Sequence, residues 1–135
     1  MTADVIVLLH EARLAEKRQA LFYRALAAAA EDVNDAALSE RFNELHADEQ
    51  HHLSRLTVLL IEMDEAVADL GTEPAPSASL EGWQDVARAR EHEEIARYET
   101  LLIQELDERT RSMLELFLQA ERGHADLLGG KWMVA

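Results

Sequence analysis

Acidic side chains recur inside the apolar stripes of four helix-forming segments, and no other feature limits the possible folds of this chain as much. One copy of the pattern is Glu16 followed by Glu49-Gln50-His51-His52, and the second is Glu91 followed by Glu121-Arg122-Gly123-His124. The leading glutamates also share their local text, since Tyr23 and Tyr98 each stand seven residues after them. A carboxylate on the core face of a helix is costly unless it is paired or binds a metal. A fold that brings four helices together at one level would gather four carboxylates and two imidazoles at one point.

The segments around these residues are rich in Ala, Leu, Glu and Arg, the strongest helix formers. The stretch from Gly71 to Ser79 holds both prolines, Pro74 and Pro76, and reads as a connector because Pro lacks a backbone donor. The spacing predicts a single all-α domain over residues 1–135, with one helical hairpin at 4–69, a connector at 70–79 and a second hairpin at 80–129. The first helix runs from about Asp4 to Ala30, with Leu8, Ala12, Glu16, Gln19, Tyr23, Leu26 and Ala30 inward at spacings of three and four. After a break at Glu31 to Asp35, with Asn34 or Asp35 as cap, the second buries Leu38, Phe42, Leu45, Glu49, His52, Leu53, Leu56 and Leu60. The third starts after Ser77 or Ser79, with Glu91, Glu94, Tyr98, Leu102 and Leu106 in its stripe. A weaker break at Asp107 to Arg109 leads to the fourth, which buries Leu114, Phe117, Glu121, His124 and Leu128. Gly129-Gly130 is its stop signal.

Residues three apart share a helix face, so each Glu-x-x-His can grip one cation. Glu16 and Glu49 are almost equidistant from the break at Asp32 to Asn34, and Glu91 and Glu121 from Leu106. An antiparallel hairpin therefore sets the ligands of each half at one height, and two such hairpins facing each other build a two-metal cage with pseudo-twofold symmetry. A ligand set of four glutamates and two histidines is that of a dinuclear carboxylate centre in a helix bundle. Oxygen donors with one imidazole per metal suit iron, or manganese as the alternative, better than zinc.

Composition narrows the function from the other side. The 27 acidic residues against 13 Lys and Arg leave a net charge of −14, which argues against nucleic acid as a partner. With no cysteine there is no thiolate zinc site and no iron–sulfur cluster. No apolar run approaches the roughly 20 residues of a membrane span, and the N-terminus lacks the features of a signal peptide. The expectation is a soluble, cytoplasmic protein that engages no membrane.

Over nearly its whole length the chain resembles the rubrerythrin branch of the ferritin-like superfamily. The resemblance rests on Glu16 to Tyr23, on the two Glu-x-x-His motifs, and on Glu91-His92-Glu93-Glu94. The last is similar to the Glu-x-x-Glu that adds a carboxylate in rubrerythrins and is missing from bacterioferritins. It implies a ferritin-like four-helix bundle with two iron ions per site, held by Glu16, Glu49, His52, Glu91, Glu94, Glu121 and His124. Members of the family reduce hydrogen peroxide at such a site and can oxidise ferrous iron with oxygen. Rubrerythrins usually carry a rubredoxin domain whose four cysteines feed electrons to the site, so this cysteine-free chain is expected to depend on an external electron donor or to run an oxidative cycle only.

The preferred activity is peroxide reduction, with Glu49 and Glu121 bridging the metals and Tyr23 and Tyr98 as catalytic candidates. Alternatives are a ferroxidase using oxygen and a metal-binding bundle without turnover. Any one of the glutamates alone reads equally as a salt-bridged residue, with Arg13, Lys17, Arg55, Arg90 and Arg122 at hand, and the tyrosines as core aromatics. His10, His46, His51 and His92 read as surface or rim histidines, with His46 one turn before Glu49 as an outer partner. The tail from Lys131 to Ala135 reads as packing or partner-binding, without a choice between them. A second helix reaching Asp69 leaves a return path of about 48 Å at 1.5 Å per residue, longer than the roughly 35 Å that ten extended residues span. Either that helix ends early, near Met63-Asp64, or hairpins exchange between chains; a homodimer, swapped or not, is expected.

Overall fold

The computed structural model of the chain describes residues 1–131; Trp132, Met133 and the remainder of the tail lie outside the described residues. Four α-helices account for most of it: α1 (Ala3–Asp32), α2 (Ala36–Glu62), α3 (Trp83–Leu102) and α4 (Glu108–Asp126). No strand occurs among the described residues. The chain forms two compact units, one of residues 13–83 and the other of residues 1–12 with the chain from Gln84 onward.

In the first unit, α1 and α2 run antiparallel. Arg13 Nε donates to Thr57 Oγ1 at 2.8 Å, His46 Nδ1 lies 2.8 Å from the Ala20 carbonyl, and Arg24 reaches Asn43 at 3.4 Å. The turn between them is tight because two helix ends share it. Asn34 has a φ of 60°, in the left-handed region. That reversal lets the amides of Asn34 and Asp35 bond back to Glu31 and Ala30 at 3.0 and 2.9 Å. Asp35 then caps α2, its carboxylate accepting from the Leu38 amide at 3.1 Å.

The far end of α2 takes the earlier of its two expected ends, near Met63-Asp64. The helix stops at Glu62, well before Asp69, and residues 63–82 form no helix. Asp64 has a φ of 62°, and the amides of Asp64 and Glu65 return to Ile61 and Leu60, each at 3.0 Å. This is a closed helix end with Asp in the place glycine usually takes. The connector that follows is fastened onto α1, where Arg13 Nη1 donates to the Ala68 carbonyl at 2.9 Å and Arg18 pairs with Glu73 at 2.8 Å. Burial pulls the Arg13 guanidinium below the ordinary arginine value, and nearby Asp69 offsets part of that.

In the second unit, α3 begins at Trp83, later than Ser77 or Ser79 suggested, because Gly82 sits at a φ of 67° that a right-handed helix cannot contain. α3 ends at Leu102, so Leu106 belongs to the turn and not to its inner stripe. Arg111 closes that end by donating to the carbonyls of Leu102 and Gln104 at 2.8 and 2.9 Å. Asp107 caps α4 by accepting from Thr110 at 2.8 Å, a bond that holds its carboxyl below the ordinary aspartate value. Gly129-Gly130 does not stop the last helix: the chain passes through it in a π-helical turn, Leu127–Lys131. Glycine permits chain reversal without compelling it.

The expected inner stripes are otherwise present, with small shifts of register. Val5 and Leu9 are buried where Leu8 was expected, and Leu38 and Leu53 are half-buried at the edges of α2.

Candidate metal centre

Each unit contains one half of the repeated pattern. On α1 and α2, Glu16 and Glu49 are wholly buried and His52 is 4% exposed. His52 Nδ1 lies 3.3 Å from Glu16 Oε2 and 4.0 Å from Glu49 Oε1. One ligand atom from each of Glu16, Glu49 and His52 lies within 4.8 Å of the others. The antiparallel pairing explains the levelling, because Glu16 and His52 occupy the same rung of the α1–α2 hairpin.

The second half has the same construction. Glu91 on α3 and Glu121 on α4 are wholly buried, and His124 Nδ1 stands 3.5 Å from Glu91 Oε2 and 3.3 Å from Glu121 Oε1. One ligand atom from each of these three also lies within 4.8 Å of the others. In both halves the leading glutamate comes from one helix and the Glu-x-x-His from its antiparallel neighbour.

Two carboxylates held so closely beside an imidazole, away from water, repel one another when both are ionised. A cation relieves that repulsion and satisfies the oxygen and nitrogen lone pairs together. Oxygen-rich donors with a single nitrogen suit iron or manganese. Arg13 and Arg122, which a salt-bridge reading would turn toward Glu16 and Glu121, are engaged by Thr57 with Ala68 and by Glu99 respectively.

Glu94 is buried on α3, with Glu93 beside it exposed, but its carboxylate is in neither group of converging ligand atoms. Its neighbour is Arg97, whose Nε lies 4.0 Å from Glu94 Oε1. Only its position three residues after Glu94 could have pointed to Arg97 in the sequence. Tyr23 and Tyr98 are both wholly buried; Tyr98 packs edge-on against Phe117 and Tyr23 stands beside Phe22. Among the remaining histidines, His51 and His92 are exposed and His10 is half-buried. Half-buried His46 lies against the Ala20 carbonyl, an acceptor, so its Nδ1 carries the proton.

The sequence pattern of the rubrerythrin family matches residues 7–130. The chain belongs to the rubrerythrin family. Its fold is also that of a ferritin-like four-helix bundle. The structure of Rhodobacter capsulatus bacterioferritin, described with a metal-free dinuclear site and haem iron, superposes with a TM-score of 0.84 at 18% identity over 96% of this chain and 83% of that one. Chlorobium tepidum ferritin superposes with a TM-score of 0.81, also at 18% identity, over 97% of this chain and 83% of its own. No curated protein sequence matches the chain. Membership in the rubrerythrin family, together with two buried Glu and Glu-x-x-His groups, fits a dinuclear iron protein of the ferritin-like kind.

Proposed function

We propose that these six residues serve a dinuclear iron centre that reduces hydrogen peroxide to water, with electrons from a separate donor. The observation that carries this reading is the duplicated buried group, Glu16/Glu49/His52 and Glu91/Glu121/His124, in a chain of the rubrerythrin family. Manganese is the alternative occupant. When bound, the two ferrous ions would supply the two electrons that break the O–O bond. Peroxide, two protons and two electrons yield two waters, and the donor restores the electrons.

Each residue has a definite task in this scheme. Glu49 and Glu121 would be shared by both ions, while Glu16 and Glu91 would each hold one. His52 and His124 present Nδ1, the nitrogen each turns toward its carboxylates, and therefore keep the proton on Nε2. Tyr23 and Tyr98 lie two turns along the faces that carry Glu16 and Glu91, where their phenols can donate to ligand carboxylates and fix their orientation. Burial of all six ligands to 6% exposure or less keeps bulk water from the reacting oxygen atoms. The reading includes a cytoplasmic setting, and no helix among the described residues is long and apolar enough to cross a membrane.

A ferroxidase using oxygen is favoured by one observation, the placement of Glu94. With its carboxylate beside Arg97, the converging set lacks the extra acid that marks rubrerythrin-like peroxide chemistry. Anaerobic ferrous titration followed by rapid mixing with each oxidant separates the two. Peroxide reduction requires two ferrous ions per chain and faster oxidation by peroxide than by oxygen. Faster oxidation by oxygen assigns the protein to iron oxidation, and failure to take up two ions removes both enzymatic readings.

A further inference from the structure

The two histidines of the proposed centre stand in unlike parts of their helices. α2 runs on from His52 to Glu62, whereas α4 ends at Asp126, two residues after His124. His124 therefore belongs to a last turn, where helices open locally at little free-energy cost. The final carbonyls of an α-helix also lack partners within their own helix. Gly123 softens the turn further: it is exposed, a β-carbon there would meet nothing within 4 Å, and glycine is a poor helix former. A ligand at such a place keeps its position only if something outside the helix holds the turn.

That hold comes from the start of α3. Gln84 Nε2 donates to the Leu128 carbonyl at 2.9 Å, inside the π-helical turn Leu127–Lys131. The amide of the preceding residue, Leu127, bonds back to the carbonyls of Gly123 and His124. A short path of hydrogen bonds and backbone thus leads from the Gln84 side chain to the backbone of His124. Arg88, one turn after Gln84 on the same face of α3, lies against the same turn. A β-carbon on Gly129 would stand 3.6 Å from Arg88 Nη2 and 3.7 Å from its Cζ, and a positive charge there suits the negative end of α4. Glu91 comes next along that face of α3, so one stripe carries both the clasp and a ligand of the half-site it steadies.

We propose that Gln84 is a positioning residue for His124, fastening the end of α4 so that the imidazole keeps its place beside Glu91 and Glu121. The proposal rests on the dinuclear reading above. The two half-sites then differ in kind: His52 is held by its own helix, and His124 by a side chain of another. The affinity of the second half-site is accordingly set in part by a residue that does not touch the metal.

The test pairs metal affinity with backbone amide exchange. Gln84→Met keeps the length of the stem and removes the donor, and Gln84→Lys restores a donor on a similar stem. Parent and variants, each also combined with His124→Gln, are titrated anaerobically with Co2+, whose visible absorption reports its ligands. In the metal-free protein, Gln84→Met should speed exchange of the amides from His124 to Gly129 and leave those around His52 unchanged. It should weaken one of the two Co2+ ions about three- to tenfold, the factor that one hydrogen bond supplies, and alter the absorption of that ion alone. Gln84→Lys should return both readings toward the parent. In the His124→Gln background, Gln84→Met should change affinity less than twofold. If Gln84→Met does not fold, Gln84→Ala gives the same comparison. Equal weakening of both ions, or the same weakening without His124, would show a general loosening of the fold. Faster exchange with unchanged affinity would show a helix cap that does not position the ligand, and no change in either reading would show no hold at all. Each of these overturns the inference alone when the parent binds two Co2+ ions. A parent that does not bind two ions sinks the dinuclear reading and this inference with it.

Discussion

Glu49 and Glu121 are buried completely on α2 and α4, each three residues before a histidine that turns Nδ1 toward it. Such a position has no neutral substitute: alanine removes a ligand and leaves the remaining carboxylate and imidazole in a pocket shaped for three. If both glutamates bridge, Glu49→Ala or Glu121→Ala lowers occupancy of both metal positions, and metal analysis after anaerobic loading should find well under one ion per chain. Two ions in either variant would remove the bridging role. The variants should remain folded, because a buried carboxylate without its cation is itself destabilising. At this scale the sequence was most legible where residues repeat. Glu16, Glu49, His52, Glu91, Glu121 and His124 announced themselves as a set, whereas the placement of Glu94 depends on a rotamer, which spacing does not encode.

Helix ends divide by how visible their chemistry is. Asp35 and Asp107 cap α2 and α4 through ordinary side-chain bonds to Leu38 and Thr110, and both lie at breaks that composition marks. The end of α2 carries no mark in composition, because Asp64 takes a left-handed conformation that glycine would have advertised, and only the length of the return path pointed to it. Gly71, Pro74 and Pro76 are conspicuous, but the helix has already ended before them. Asp64→Gly should therefore stabilise the fold by about 0.5–1 kcal/mol by removing the steric cost of a β-carbon at positive φ, measured as a higher midpoint of urea unfolding. A lower midpoint would mean that the Asp64 side chain contributes more than its backbone costs.

The position at which α2 ends also changes the expected assembly. Between the proposed site and the helix ends, Glu49 to Glu62 and Trp83 to Glu91 require a return path of about 32 Å at 1.5 Å per residue. Residues 63–82 can extend to about 66–72 Å, which exceeds that path. The length argument for exchanging hairpins does not hold, because it assumed a helix reaching Asp69. Arg13 and Arg18 strengthen the point by tying Ala68 and Glu73 down onto α1. A homodimer of unexchanged chains is the expected assembly: light scattering should give twice the 15.2 kDa chain mass, and dilution to monomer should preserve two bound metals. Loss of metal in step with dissociation would restore the exchanged form.

The amino-acid sequence by itself determined the helical character of the chain, its two-part repeat and which Glu and His side chains share a helix face, because helical periodicity and residue spacing are local properties. It also carried the family resemblance, since those spacings are the family's own. Tertiary structure decided what local spacing leaves open. It put His52 beside Glu16 and His124 beside Glu91 across antiparallel helices, turned Arg13 into a buried clasp for the connector, and set Arg97 against Glu94. Each of these depends on where a side chain goes once its neighbours are packed, and a residue's own segment does not specify that. The same reason explains the concealed end of α2 and the helix that continues through Gly129-Gly130: backbone conformation at Asp64 and at the glycines follows from the closing of hydrogen bonds and packing around them, not from residue identity alone.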